Sequence, residues 1–167
     1  IHAQWVPGPA FTSIDVATST LAGGQTRIIT GTALNAVTSI TVDSIAATIT
    51  AQSSTSITFT TPAIASAGLK PISLVFATGS TLQSNAIRYY AIPTITSITP
   101  TSGTTLGGTS VQISGTNFVD ISGVTVGGQA ATSVVTNSVL SLTISTPALS
   151  AGTYDVVVTN PGGSGTL

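Results

Sequence analysis

Hydrophobic and polar residues alternate along most of this chain with a period of two, and no stretch shows the period of a helix. The alternating runs are short, rich in β-branched and aromatic residues, and bounded by glycine, proline, asparagine or serine. This pattern predicts β-strands joined by turns, and therefore an all-β protein. The clearest predicted strands are residues 26–30, 38–42, 56–60, 71–77 and 86–91, followed by 110–114, 123–126, 140–145 and 154–159.

The chain contains one internal repeat. Residues 11–35 recur at 95–119, a shift of 84 positions, and a later slip of one residue pairs Pro62 with Pro147. A repeat of this length has the size of a small domain. Six or seven short strands in each copy are typical of an antiparallel sandwich of two sheets. The sequence therefore predicts two β-sandwich domains in tandem.

The repeat is out of phase with the chain. The same shift places residues 2–9 (HAQWVPGP) on residues 86–93 (AIRYYAIP), which hold the last predicted strand of the first copy, whereas the second copy reaches Leu167 before any such run. We therefore predict three parts. They are an N-terminal strand at 1–9 (a donor strand or the end of a preceding repeat), a first domain at 10–92, and a second domain at 93–167 that is incomplete without a strand from a neighbour.

The second copy carries four motifs in order. Residues 95–118 read ITSITPTSGTTLGGTSVQISGTNF, which contains Ile-x-x-Ile-x-Pro, a Gly-Gly pair before the next strand, and Gly-x-x-Phe after it. Residues 152–158 read Gly-x-Tyr-x-Val-x-Val. This set resembles the IPT/TIG domain, which has an immunoglobulin-like fold. The first copy is a looser match, because Val16, Leu34 and Lys70 stand where the second copy has proline, phenylalanine and tyrosine.

The resemblance implies a fold rather than an activity. It implies two tandem immunoglobulin-like antiparallel β-sandwiches of IPT/TIG type, the second without its last strand. Such domains occur in cell-surface receptors, transcription factors, carbohydrate-active enzymes, bacterial adhesins, extracellular fibres and phage structural proteins. The residues of this chain must therefore decide between these classes.

Charge is nearly absent, with three Lys or Arg residues, four Asp residues and no Glu. Three cations cannot neutralise a track of phosphates, so we expect no nucleic-acid partner. No apolar run approaches the eighteen or so residues that span a bilayer, so we expect no membrane insertion. The chain has no cysteine, which leaves the redox compartment unassigned.

No group of residues predicts catalysis. His2 is the sole imidazole and has no Cys or Glu to act with, so it is expected to be a solvent-facing strand residue. The Asp residues are scattered singly, and the serines lack a base. Trp5, Tyr89 and Tyr90 are the candidates for a sugar-binding platform, but they fall in last-strand segments where one ring should pack inward, and Trp5 is expected to pack in a core. We predict no catalytic residue, no metal ligand and no cofactor.

The out-of-phase repeat instead predicts assembly. A sandwich without its last strand exposes a sheet edge, which is a template for another chain. The donor strand is expected to be the N-terminal segment, with Ile1, Ala3 and Trp5 as its inward residues, and the shift places Ala3 and Trp5 where Ile87 and Tyr89 stand.

The acceptor groove is expected in the second domain, where Val156 and Val158 face the missing strand. Donation from one copy to the next gives a head-to-tail homopolymer, since this contact does not close on itself. The favoured function is thus a non-enzymatic subunit of an extracellular or cell-surface fibre. Its hydroxyl-rich exterior is suited to O-linked glycan.

Three other interpretations remain open. In the first interpretation, the chain is an excerpt of a long covalent array of such domains that acts as an adhesin stalk or a phage fibre on the particle surface. In the second, it is an accessory carbohydrate- or protein-binding module, with loops such as 33–38 and 116–122 as candidate sites. Pairing of residues 1–7 with the second copy of the same chain is the least favoured, because residues 7–9 leave too little slack.

Overall fold

The computed structural model describes residues 7–167, which form strands and one short 3-10 helix. The structure divides into two compact units, the first ending at Tyr89 and the second beginning at Tyr90. Each is a β-sandwich, so the predicted fold of two tandem all-β sandwiches is confirmed.

The first unit has eight strands and the 3-10 helix Leu34–Ala36 in its described part. The strands are β1 (Ala10–Ile14), β2 (Thr18–Thr20), β3 (Thr26–Thr32), β4 (Val37–Val42), β5 (Ile45–Gln52), β6 (Ser56–Thr60), β7 (Gly68–Phe76) and β8 (Gly79–Tyr90). They follow the order β1-β3-β6-β5-β4-β7-β8-β2. β5 pairs with β4 through Ile45–Ala47 and with β6 from Thr48 onward, so it passes from one layer of the sandwich to the other.

The core of the first unit lies between these two layers. Its side chains come from alternate positions of the strands, which explains the period of two in the sequence. The largest fully buried side chains are Ile29, Leu34, Ile40, Ile57, Phe59, Ile72, Leu74, Ile87 and Tyr89.

The second unit has two sheets of four strands among the described residues. The strands are β9 (Thr94–Thr99), β10 (Ser110–Thr116), β11 (Gly123–Val126), β12 (Gln129–Ala130), β13 (Ser133–Ser138), β14 (Ser141–Ser145), β15 (Val156–Asn160) and β16 (Gly163–Thr166). The sheet orders are β13-β14-β10-β9 and β12-β11-β15-β16. Between the sheets lie Val111, Ile113, Phe118, Val124, Leu142, Ile144, Val156 and Val158.

The last strand of the first unit, β8, has two halves. The first half of β8 pairs with β7 as far as Gln83, which lies opposite Ile72. Pairing resumes in the second half at Ile87, which lies opposite Lys70. β8 therefore contains two more residues than β7 between these pairs, and one of them, Asn85, has a φ of 53°. This irregularity is a β-bulge, which bends the strand.

The prediction that the second unit lacks its last strand needs a correction. β16 pairs with β15, and Leu167 exchanges two backbone hydrogen bonds with Val156. By the 84-residue shift, β16 and Leu167 correspond to residues 79–83, which are the first half of β8. This half forms because the tight turn at Pro161-Gly162 brings it back onto β15 locally. Only the second half has no counterpart in the described residues.

Candidate functional site

In the first unit the second half of β8 is bound on both sides. Ile87 and Tyr89 lie opposite Lys70 and Gly68 of β7. On the other side β8 neighbours β2, and the backbone N–H of Arg88 donates to the carbonyl oxygen of Ala17 over 2.8 Å. This half-strand therefore fills a position between two backbone segments.

Two side chains of this half-strand complete the core. Ile87 is fully buried and Tyr89 is 1% exposed. The hydroxyl of Tyr89 donates to the main-chain carbonyl oxygen of Pro62 over 3.1 Å. Burial raises the pKa of Tyr89, although the nearby hydroxyls of Ser19 and Thr61 act in the opposite direction. The ring of Tyr89 thus fills part of the apolar core, and its hydroxyl donates a hydrogen bond.

Polar side chains surround this ring in the first unit. The hydroxyl of Ser19 donates to the hydroxyl oxygen of Thr61 over 3.0 Å and contacts the amide oxygen of Gln25. The guanidinium of Arg27 donates to the carbonyl oxygen of Thr18 at 2.6 and 2.8 Å. The hydroxyl of Tyr89 is therefore in a partly polar environment.

The second unit has a cavity of about 430 Å³ at the corresponding place. This volume is typical of clefts that receive a ligand or a side chain from outside. We call this cavity the open groove. Its lining comprises Ile98, Pro100, Thr101, Ser102, Gly103, Thr104, Thr105, Val111, Val126, Ile144, Thr146, Pro147, Leu149, Ser150, Ala151, Gly152, Thr153, Tyr154 and Val156.

Backbone hydrogen bonds establish that the two places correspond. Gly24 N–H donates to the carbonyl oxygen of Thr61 over 2.8 Å, and Gly108 N–H donates to that of Thr146 over the same distance. Pro147 therefore stands where Pro62 accepts the hydroxyl of Tyr89. The open groove lies where the second half of β8 lies in the first unit.

Two backbone segments that have no strand beside them in the described part of the chain line the open groove. In the second unit, residues 102–104 and 152–154 are the counterparts of β2 and of the start of β7, and neither segment is a strand there. A segment counts as a strand only when it has a hydrogen-bonded neighbour, and in the first unit that neighbour is the second half of β8. The open groove therefore offers two backbone edges and apolar side chains such as Val111, Ile144 and Val156, which suit an added strand.

The predicted site residues divide into three groups. Val156 is among the residues that line the open groove, and its role as an acceptor of a strand stays a prediction. Val158 is fully buried in the core and is not part of the groove lining. The predicted donor residues Ile1, Ala3 and Trp5 lie outside the described residues.

Sequence reasoning missed most of the groove, including Ile144, Pro147 and Tyr154. The repeat itself held the signal that would have found them, because they are the positions around Ile87 and Tyr89 after the shift. Tyr154 was predicted to begin a strand, but the strand begins at Val156. The reason is that residues 152–155 have no strand beside them among the described residues.

Other candidate chemistry has structural explanations in the described chain. Tyr89 and Tyr90 are buried, so they present no sugar-binding platform. The ammonium group of Lys70 lies 2.9 Å from a carboxylate oxygen of Asp43. Residues 7–167 contain no group of three potential metal ligands. In the same range, no helix has the length and apolar character needed to cross a membrane.

Comparison with protein families gives one match for both units. The model of the IPT/TIG domain matches residues 9–89 and again residues 93–167. A search of curated proteins finds no match.

Several solved structures are similar to this chain over most of its length. A crystal structure described with a xylogluco-oligosaccharide is 18% identical with a TM-score of 0.50, and the match covers 97% of this chain and 40% of that one. The full extracellular region of plexin A4 is 18% identical with a TM-score of 0.48, covering 90% and 14%. SGBP-B from a xyloglucan utilisation locus of Bacteroides uniformis is 22% identical with a TM-score of 0.44, covering 96% and 48%. The chain thus spans less than half the length of each of these solved chains.

Proposed function

The chain belongs to the IPT/TIG domain family, of which it holds two copies in tandem, and from this premise we propose that it is a structural subunit that polymerises head to tail. In this proposal, residues 1–7 of one copy enter the open groove of the next copy as the second half of its last strand. The function is mechanical and non-enzymatic. The partner is a second copy of the same chain.

The observation that carries the proposal is the open groove together with a sequence that matches its missing occupant. In the first unit the occupant is the second half of β8, whose inward residues are Ile87 and Tyr89. The 84-residue shift places Ala3 and Trp5 at these two positions. If the N-terminal segment pairs in the groove as β8 pairs in the first unit, Ala3 and Trp5 are its inward residues. The ring of Trp5 then takes the position of Tyr89, whose hydroxyl bonds to Pro62.

The described start of the chain supports this register. Pro9 is buried in the first unit, and its carbonyl oxygen accepts a hydrogen bond of 2.9 Å from the hydroxyl of Thr81. Pro93 is buried in the second unit, where a Cβ added to Gly165, the counterpart of Thr81, would lie 2.0 Å from its carbonyl oxygen. The chain thus enters both units in the same way. A donor strand joined to Pro9 would be connected as β8 is connected to Pro93.

The energetics favour strand addition. Burying the ring of Trp5 contributes about 3–5 kcal/mol from ~150–200 Å² of apolar surface. Each backbone hydrogen bond to the two groove edges adds about 0.5–1.5 kcal/mol net. Association costs at least ~4 kcal/mol in lost freedom of motion, so these gains need to act together. The low charge of the chain also keeps the electrostatic repulsion between neighbouring copies small.

We place the polymer outside the cell or on its surface, as a fibre. A surface rich in serine and threonine keeps such a fibre hydrated and offers acceptor sites for O-linked glycan.

The direct test images the native material and then measures its mass after strong denaturation. Filaments that dissolve into chains of about 16.5 kDa support non-covalent strand donation. Monomers before and after denaturation would overturn it. A Trp5→Ala chain is expected to form no filaments, whereas a Val135→Ala chain, altered on an exposed strand, should polymerise normally.

A covalent array is the second candidate, and the similar burial of Pro9 and Pro93 favours it as well. In such an array, residues that follow position 167 would fill the open groove. A denatured mass far above 16.5 kDa would select the array. An accessory binding module is the third candidate, and specific binding of a glycan or a protein by the monomer would select it.

A further inference from the structure

The open groove differs from its filled counterpart at residues near the aromatic ring. Phe59 belongs to the same core cluster as Tyr89, and the charge of Arg27 acts to lower the pKa of Tyr89. In the first unit, Arg27 and Phe59 are opposite each other on β3 and β6. In the second unit the same pair of positions, on β10 and β14, holds Val111 and Ile144. Both replacements are smaller, and one removes a charge.

A second pair of positions changes in the same direction. Ser19 and Gln25, which are joined through their side chains in the first unit, correspond to Gly103 and Thr109 in the second. The floor is conserved, because Thr146 retains the bond that Thr61 makes. The backbone N–H of Thr109 donates to the hydroxyl of Thr146 over 3.1 Å, as that of Gln25 does to Thr61. The side chains around the ring position are therefore smaller and less polar in the second unit, beside a threonine that makes the same bond.

We infer that the open groove is built for a tryptophan and not for a tyrosine, and that Val111 and Ile144 are the residues that set this preference. The inference rests on the proposed function, because it takes the donor strand as the occupant. Trp5 is the sole tryptophan of the chain. The indole N–H is a donor only, which suits the carbonyl oxygen of Pro147 in the role that Pro62 plays for Tyr89.

The size difference gives the assembly its direction. A strand carrying tyrosine would leave unfilled the volume that the smaller Val111 and Ile144 free, and unfilled core volume weakens packing. A strand carrying tryptophan meets Phe59 and Arg27 in the first unit, where overpacking is also unfavourable. The first unit therefore favours the strand that carries tyrosine, and the second unit favours the strand that carries tryptophan. The second half of β8 stays in the first unit, and the groove remains available to the N-terminal segment of another copy.

The test combines two peptides with two grooves. The peptides are residues 1–9 and the same sequence with Trp5→Tyr. The grooves are those of the full-length Trp5→Ala chain and of the Trp5→Ala/Ile144→Phe chain, which carries the first unit's residue at that position. Calorimetry measures all four affinities, and thermal unfolding verifies that both chains are folded. Trp5→Ala/Val135→Phe is the matched control, because Val135 is 52% exposed on β13, away from the groove.

The groove of the Trp5→Ala chain should bind the natural peptide with an affinity at least about tenfold higher than that for the tyrosine peptide. Small differences in fit in apolar pockets have effects of this size. Ile144→Phe should abolish or reverse this ratio, and Val135→Phe should preserve it. Equal binding of both peptides would overturn the tryptophan preference and leave strand donation intact. Failure of both peptides to bind the Trp5→Ala groove would overturn the proposed function as well.

Discussion

The hydroxyl of Tyr89 donates a hydrogen bond to the main-chain carbonyl oxygen of Pro62 over 3.1 Å, at the place where the last strand closes the first sandwich. The second sandwich keeps the counterpart of the acceptor, Pro147, on the wall of an open groove. The two units therefore share the same acceptor position, which the chain's own strand fills in the first unit and which is open in the described part of the second. The first unit consequently serves as a template for the interaction proposed for the second.

Removing this hydroxyl tests the template. Tyr89→Phe leaves the Pro62 carbonyl without its donor in a buried place, and we expect a loss of about 1–3 kcal/mol in the free energy of unfolding of the first unit. Urea denaturation measures it. Tyr154→Phe is the control, because its hydroxyl bonds to Ser150 in an exposed setting and its loss should cost less than about 1 kcal/mol. Equal losses would argue against a special role for Tyr89.

The same residue gives a pH dependence. Burial raises the pKa of Tyr89 above its usual value of 10.0, so the folded state retains a proton that the unfolded state releases. The stability that depends on Tyr89 is therefore complete below about pH 10 and declines as the pH rises from there through the folded-state pKa. Between about pH 8 and pH 11, the natural chain should lose more unfolding free energy than Tyr89→Phe. Parallel curves for the two chains would contradict this assignment.

Substitution by alanine should have very different effects on stability at two strand glycines of the second unit. A Cβ on Gly115 would lie 1.9 Å from the carbonyl oxygen of Thr94 and 2.6 Å from the ring of Phe118, so Gly115→Ala must displace β9. We expect a loss of about 1–3 kcal/mol or more. A Cβ on Gly123 meets nothing within 4 Å, and Gly123→Ala should change the stability by less than about 0.5 kcal/mol. Thermal unfolding distinguishes the two, and similar midpoints would refute the packing argument.

The sequence predicted the fold where strands alternate between buried and exposed residues. β3, β4, β6 and β14 begin within one residue of their predicted starts. β13 gave no such signal, because all six of its residues are exposed. β5 was missed as well, since it is largely exposed and passes between the two layers.

The site was only partly predictable because it depends on what is absent from one copy of a repeat. Val156 was accessible to sequence reasoning as an inward residue of a predicted strand. Ile144 and Pro147 come from other strands and loops, and alternation alone does not indicate that they meet. Val158 shares the alternation of Val156, but its side chain is fully buried in the core and does not line the open groove.

Engineered cysteines test the central claim most directly, because the chain has none of its own. In the first unit, Arg88 lies opposite Leu69, and the shift makes Gln4 and Thr153 the corresponding pair. Opposed residues in antiparallel strands have Cα atoms about 4.5–5.5 Å apart, which suits a disulfide.

The measurement is a denaturing, non-reducing gel of the oxidised Gln4→Cys/Thr153→Cys chain, beside a Gln4→Cys/Ser138→Cys control whose second cysteine lies on exposed β13. Strand donation predicts a ladder in steps of about 16.5 kDa for the first chain and not for the control. A cross-link confined within single chains, or equal ladders from both variants, would contradict head-to-tail donation into the open groove.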